Sequence, residues 1–217
     1  MLNTLNNVNF ENLHPDFCVT VAELIFMFDG LKLTSQKFET KICENTGDLG
    51  VKVLCRFNSV NELPNNCDII LGDVIVESGD EDDSTKLKYV TYLIGTLTVR
   101  NTQLENLNNF QTFKYIASLD DSNPVIQLIG NPKLITSSSL LHVMNIITRG
   151  KREAIVQDNH PDIFKDKFGG KTCELFRKWT SNDTNTLLKY TGGDCGRILC
   201  FGCYVLYFLD FQESVWK

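Results

Sequence analysis

Four stretches of this chain repeat one pattern, and that pattern restricts the fold more than any other feature. They are CDIILGDVIVES (67–78), IGTLTVRNTQLENL (94–107), PVIQLIGNPKLITS (124–137) and EAIVQDNHPDIF (153–164). Each begins with β-branched and leucine residues alternating in and out, the period of a strand. Most then turn through Asn or Asp. Between Val76, Val99, Leu128 and Val156 the steps are 23, 29 and 28 residues, and recurrence in this range predicts a solenoid. Each turn contributes a short strand, neighbouring strands pair in parallel, and inward residues such as Leu97, Val99, Ile126 and Leu128 form one continuous core. No turn buries its apolar face alone, so the stack needs several turns and a closure at each end. Asn101, Asn131 and Asn159 are the expected bend residues, because asparagine tolerates left-handed backbone and hydrogen-bonds to it. An ordinary sandwich places its strands closer together, roughly 8 to 12 residues apart.

A second repetition bears on organisation. ENLHPDF (11–17) returns as QDNHPDIF (157–164), with 146 residues between His14 and His160, about the size of a domain. The phrase therefore reads as the end of a module, present once at the close of a whole module and once at the close of a preceding one. Cysteines follow the same plan. CVTVAELIFMFDGLKLTSQKFETKIC (18–43) reads as a helix-bearing cap, with Thr20 able to cap the helix and Leu24, Ile25 and Phe28 on its apolar face. CELFRKWTSNDTNTLLKYTGGDC (173–195) is bracketed by cysteines in the same way. The expected division is 1–45 as the end of a truncated first module, 46–66 as linker and opening cap, 67–195 as the full module with its exit cap, and 196–217 as a hydrophobic tail of uncertain status.

Between the four stretches, VTYLIGTL, LENLNNFQTFKYIASL and SSSLLHVMNIITRG form the other sides of the coil. Spacings of three among Leu104, Leu107, Phe110 and Phe113 suit helical turns or tight corners. The acidic run ESGDEDD (77–83) reads as a solvated loop; it lacks the alternating ligands and glycine of a calcium loop.

A net charge of −6 and a sequence pI near 5.1, with no basic cluster longer than Lys151-Arg152, speak against a nucleic-acid or anionic-membrane surface. Eight cysteines, none between Cys67 and Cys173, favour disulfides in an oxidising compartment; buried free thiols in the cytosol are the alternative. The sequon at Asn182 is compatible with secretion and marks a glycosylation candidate. The opening MLNTLNNVNF has neither a basic start nor an apolar stretch, so it is not a signal peptide. A truncated chain reconciles that with the cysteines.

Together, NCDIILGDVIV, LIGTLTVRNTQLENLNNFQTFKYIAS and PVIQLIGNPKLI resemble a receptor L domain, the leucine-rich-repeat-like, right-handed parallel β-helix of insulin-receptor and EGF-receptor ectodomains. Within that group the chain most resembles nematode L-domain proteins that lack the kinase. The carriers are Cys67 opening a strand followed by Gly72-Asp73, the Gly-x-Leu-x-Val-Arg-Asn-Thr stretch and the Asn-Pro-x-Leu stretch. The resemblance covers roughly 55 to 195, and 1 to 45 resembles the end of a preceding L domain. It implies helical disulfide-bonded caps, with Cys55 paired to Cys67, Cys18 to Cys43 and Cys173 to Cys195. It also implies an extracellular or cell-surface, ligand-binding module without catalytic residues or cofactor. The expected partner is a protein or peptide ligand, in the family's manner an insulin-like one. The outward strand residues Asp73, Thr96, Thr98 and Gln127 are the candidates for its contact face. The tail RILCFGCYVLYFLDFQESVWK does not resemble the family.

Other chemistry is thin. Cys195-x4-Cys200-x2-Cys203 has the spacing of part of an iron–sulfur site, and a zinc site could recruit Cys173 as a fourth thiolate; disulfides or unpaired thiols are the simpler reading. The apolar run from Ile198 to Leu209 is short of the roughly 20 residues that span a bilayer, and membrane attachment stays open. No phosphate loop, nucleophile elbow or paired-histidine motif occurs. His14 and His160 sit in the repeated turn, where an imidazole is expected to bond backbone. The competing reading is an intracellular leucine-rich adaptor with reduced cysteines.

Overall fold

The computed structural model describes residues 10–30, 38–119, 123–150, 152–164 and 188–194. The chain alternates between two parallel sheets. After β1 (Cys18–Val19), α1 (Val21–Gly30) and β2 (Lys41–Ile42) come β3 (Leu54–Arg56), β4 (Ile69–Leu71) and β5 (Val74–Val76). Then follow β6 (Tyr92–Ile94), β7 (Leu97–Arg100), β8 (Tyr115–Ser118), β9 (Ile126–Ile129), β10 (Asn145–Thr148), β11 (Arg152–Gln157) and β12 (Leu188–Thr191). The first sheet has the order β10-β8-β6-β4-β3 and the second β12-β11-β9-β7-β5. Each turn of the chain thus lays one strand in each sheet, a solenoid-like plan.

Val76 pairs with Val99, Val99 with Leu128, and Leu128 with Val156, all in parallel register. The repeat read from sequence is therefore a physical ladder. Its inward residues meet Ile70, Leu93, Ile116 and Ile146 of the first sheet in one apolar interior. Fully burying each such side chain contributes on the order of 1.5–3 kcal/mol, which is why neighbouring turns hold one another in place.

The stretches between the ladder strands do more than turn. They hold 3-10 helices at Asp83–Tyr89, Asn108–Phe110 and Ser138–His142, which place Leu87, Phe110 and Leu140 in the interior. Each then enters the first sheet as β6, β8 or β10. The 3-10 helices answer to the expected helical turns or tight corners; the strands that follow them were not expected. Gly72 and Gly95 stand between strands of different sheets, β4 and β5 or β6 and β7, and so disguise two short strands as one.

The bend residues also fall differently from expectation. Asn101 is left-handed (φ 54°), but in the next two turns that place is taken by Gly130 (φ 67°) and Asp158 (φ 56°). A β-carbon on Gly130 would lie 2.6 Å from the Asn101 Oδ1, so the second turn requires glycine. Asn131 and Asn159 stand one position later and form a buried ladder. Asn131 Oδ1 accepts the Thr102 N–H and hydroxyl at 3.0 and 2.8 Å. Its Nδ2 donates to the Val99 carbonyl at 3.0 Å and to Asn159 Oδ1 at 2.7 Å. Asn159 in turn donates to Asp194 Oδ2 and to the Leu128 carbonyl. These amides satisfy backbone groups that the sheet leaves behind at the bend.

Residues 18–30 and 38–43 pack against the coil. Thr20 and Glu23 make a reciprocal capping box, Thr20 N–H to Glu23 Oε2 at 2.8 Å and Glu23 N–H to Thr20 Oγ1 at 3.2 Å, which starts α1. The helix lies against the outer face of the first sheet. Leu24, Ile25 and Phe28 pack there with Ile69, Tyr92, Ile94, Ala117 and Ile147. That face is apolar and needs a cover. Phe28 stacks on Tyr115 at 4.9 Å, Tyr115 on Tyr92 at 5.1 Å, and the Tyr92 hydroxyl donates to Asp29 at 2.7 Å.

Candidate functional site

The outward face of the second sheet is a regular surface of five parallel strands. Strand alternation places Ile75, Thr98, Gln127 and Ile155 side by side. A parallel row runs through Arg100, Ile129 and Gln157, with Arg100 bonded to Glu77 at 2.9 Å. Gln127 donates to the Thr98 hydroxyl at 3.2 Å. The surface mixes aliphatic and uncharged polar groups with the Arg100–Glu77 and Lys189–Glu153 ion pairs. Such a surface suits shape-complementary contact with another chain rather than bond chemistry.

Of the four residues named from sequence, Thr98 and Gln127 lie in this row, Gln127 half-buried and Thr98 only 6% exposed. Asp73 and Thr96 sit instead at the corner between the sheets. Asp73 Oδ1 accepts the Thr96 N–H at 2.9 Å, and Thr96 is buried; both act on the bend. They were placed on the face because the glycine corners were read as strand. Ile75, which is exposed, Ile155, Ile129 and Gln157 were missed, although period two along β9 leads from Gln127 to Ile129 and the repeat steps of 23 and 28 residues lead from Thr98 to Ile75, from Gln127 to Ile155 and from Ile129 to Gln157.

Cys18 is joined to Cys43 and Cys55 to Cys67, with Cα atoms 5.0 and 5.8 Å apart. Cys173, Cys195, Cys200, Cys203 and the Asn182 sequon lie outside the described residues, as do the tail and all of the exit cap but 188–194. No group of three or more His, Cys, Asp or Glu side chains among the described residues could hold a metal ion. The histidines serve turns. The Asp16 N–H donates to His14 Nδ1 at 3.3 Å and the Asp162 N–H to His160 Nδ1 at 3.1 Å. The left-handed Asn12 and Asp158 each stand two residues ahead. The two copies of the phrase have one geometry. His142 Nδ1 lies 2.9 Å from the Ser139 carbonyl.

The acidic loop is more ordered than a solvated run. Glu81 accepts the Gln103 N–H with one oxygen and the Gly79 N–H with the other, each at 2.8 Å. The Gln103 N–H is the main reason its carboxyl titrates below the usual range. Burial, followed by the Asp29 carboxylate, pushes Tyr92 well above an ordinary phenol, and burial does the same to Tyr115. Among the described residues, no helix is long and apolar enough to cross a membrane.

No curated protein matches the chain. Residues 66–168, from just before Cys67 to just past the second His-Pro-Asp turn, match the family model described as Receptor L domain, a family of ligand-binding, non-catalytic domains.

Proposed function

We propose that this chain is a receptor-like extracellular module that binds a protein or peptide ligand through the outward face of the second sheet. The observation that carries the reading is the coincidence of the family match with the stacked coil, a scaffold whose repeated strands present a broad regular face. The cystines fit an oxidising compartment. In this reading the coil is a right-handed β-helix over 67–195, Cys173 pairs with Cys195 at its exit, and Asn182 carries a glycan. Residues 1–45 close a preceding module, as the shared geometry at His14 and His160 supports. The ligand is a secreted peptide of the insulin-like kind, and the chain is a counterpart of nematode L-domain proteins without a kinase.

The test is calorimetric titration of the oxidised, secreted protein with a panel of insulin-like peptides. A saturable complex is expected, weakened at least tenfold by Ile75→Asp or Gln127→Arg with the fold unchanged. Binding indifferent to both substitutions would remove the face from the account. Eight free thiols on the unreduced protein would remove the extracellular reading and favour an intracellular adaptor.

A further inference from the structure

The His-Pro-Asp turn occurs in two surroundings, and the contrast separates a filled side from an open one. In the second copy Val156, Ile163 and Phe164 are 0, 3 and 1% exposed, because the preceding turn of the coil lies against them. There β9 pairs with β11, the His160 N–H donates to the Asn131 carbonyl at 3.0 Å, and the Ser137 hydroxyl donates to the Ile163 carbonyl at 3.4 Å. An offset of 146 residues puts Phe10, Leu13, Phe17 and Cys18 in the places of Val156, Asn159, Ile163 and Phe164. The two copies share their bend, with Asn12 at φ 54° and Asp158 at φ 56°.

The first copy is filled on one side. Toward later residues, Phe10 pairs in parallel with Phe38 and Cys18 with Lys41, as β11 pairs with β12. Toward earlier residues the contacts of the second copy are absent among the described residues. Leu13 and Phe17 are 39 and 40% exposed, and no described group accepts the His14 N–H. The Phe17 ring lies 5.8 Å from that of Phe10, which lies 4.6 Å from the buried Phe38. The exposed rings thus continue an apolar interior that stays open at one end. A coil that stops there leaves both apolar surface and strand backbone uncovered.

We infer that this face seats a turn of the preceding module's coil. The second copy shows what such an occupant supplies: a strand beside Phe10, apolar side chains over Phe17 and a bend carbonyl for the His14 N–H. One difference narrows its chemistry. Asn159 Oδ1 accepts the Asn131 amide at 2.7 Å, and a leucine side chain accepts nothing, so the occupant of the Leu13 face has an apolar residue where the coil has Asn131. A free peptide brings no neighbouring strand to hold its side chains in register, and it loses more conformational entropy on docking than a turn already fixed in a coil. The inference rests on residues 1–45 closing a preceding module, and it adds the surface and the chemistry of the partner.

The test places residues 53–155 in front of Phe10, in place of residues 1–9, so that the coil's own turns precede the first copy at the spacing they keep before the second. Amide exchange by NMR is compared between the oxidised chain and this extended form, with the amides of the original coil as internal control. The His14 amide should exchange at least about thirtyfold more slowly in the extended form, and Phe17→Asp should remove that protection. In the unextended chain the same substitution should shift the thermal midpoint by no more than about 2 °C. Leu13→Asn should add protection in the extended form alone, where an Asn131 amide meets it. Equal exchange of His14 in the two forms, or protection that survives Phe17→Asp, overturns the inference. Self-association of the unextended chain that Phe17→Asp abolishes also overturns it, and gives the face to a second copy. A Phe10–Phe38 Overhauser contact in the unextended chain separates the two readings: without it the closing turn itself fails, and with it only the docking surface does.

Discussion

Replacing Asn131 with alanine should destabilise the coil by about 3–5 kcal/mol. Asn131 is fully buried and makes four side-chain hydrogen bonds, two accepted from Thr102 and two donated to Val99 and Asn159. Alanine leaves the Thr102 N–H and the Val99 carbonyl without those partners in a dry interior, each at a cost of about 1–3 kcal/mol. The Thr102 hydroxyl can rotate away, and Asn159 Oδ1 retains the Asn131 N–H at 3.2 Å, so those two losses are smaller. For a chain of this size a kilocalorie shifts the midpoint by roughly 2–4 °C, which gives a fall of about 10 °C in thermal melts with the cystines intact. Asn131→Asp sharpens the test. Its second oxygen faces the Val99 carbonyl and Asn159 Oδ1, so the folded state resists ionisation and the folded carboxyl pKa rises above the unfolded value of about 4. The variant should lose most stability at neutral pH and recover relative to the parent as pH falls toward 4. An alanine variant within 1 kcal/mol of the parent, or an aspartate variant with no such pH dependence, would refute the ladder as a structural device.

Three further outcomes are expected. Gly95→Ala should reduce folded yield sharply, because φ 150° and a 2.2 Å approach to the Gly72 carbonyl leave no room for a methyl group; a melt unchanged from the parent would contradict the corner geometry. Tyr92 is held neutral by burial and by Asp29, so its contribution is present below about pH 10 and fades as pH rises through its elevated folded pKa. Tyrosinate absorbance during alkaline titration should show late-ionising phenols at Tyr92 and Tyr115, one of which Tyr92→Phe removes, with about 1.5–3 kcal/mol lost from the neutral-pH stability. Opening Cys18–Cys43 or Cys55–Cys67, separated by 25 and 12 residues, should cost about 3 kcal/mol each by loop-closure entropy, measurable in urea with the paired Cys→Ala variants.

The repeat was legible because burial leaves a mark at fixed intervals. Val76, Val99, Leu128 and Val156 face the same interior, and no polar residue can stand there without a partner. The first sheet was harder to see. Ile69, Tyr92, Ile94 and Ile147 point outward yet are apolar, because α1 covers them; with both faces buried, the alternation that marks a strand disappears. Asparagines advertised the bends but not their register, since the left-handed place passes from Asn101 to Gly130 to Asp158.

The ladder itself is open to direct measurement. With methyl-labelled valine and leucine in a deuterated background, adjacent strands lie about 4.8 Å apart and alternate strands about twice that. Nuclear Overhauser contacts should therefore link Val76 to Val99, Val99 to Leu128 and Leu128 to Val156, with none from Val76 to Leu128. A missing link in that series, or a direct contact that skips a strand, would contradict the coil and everything built on it.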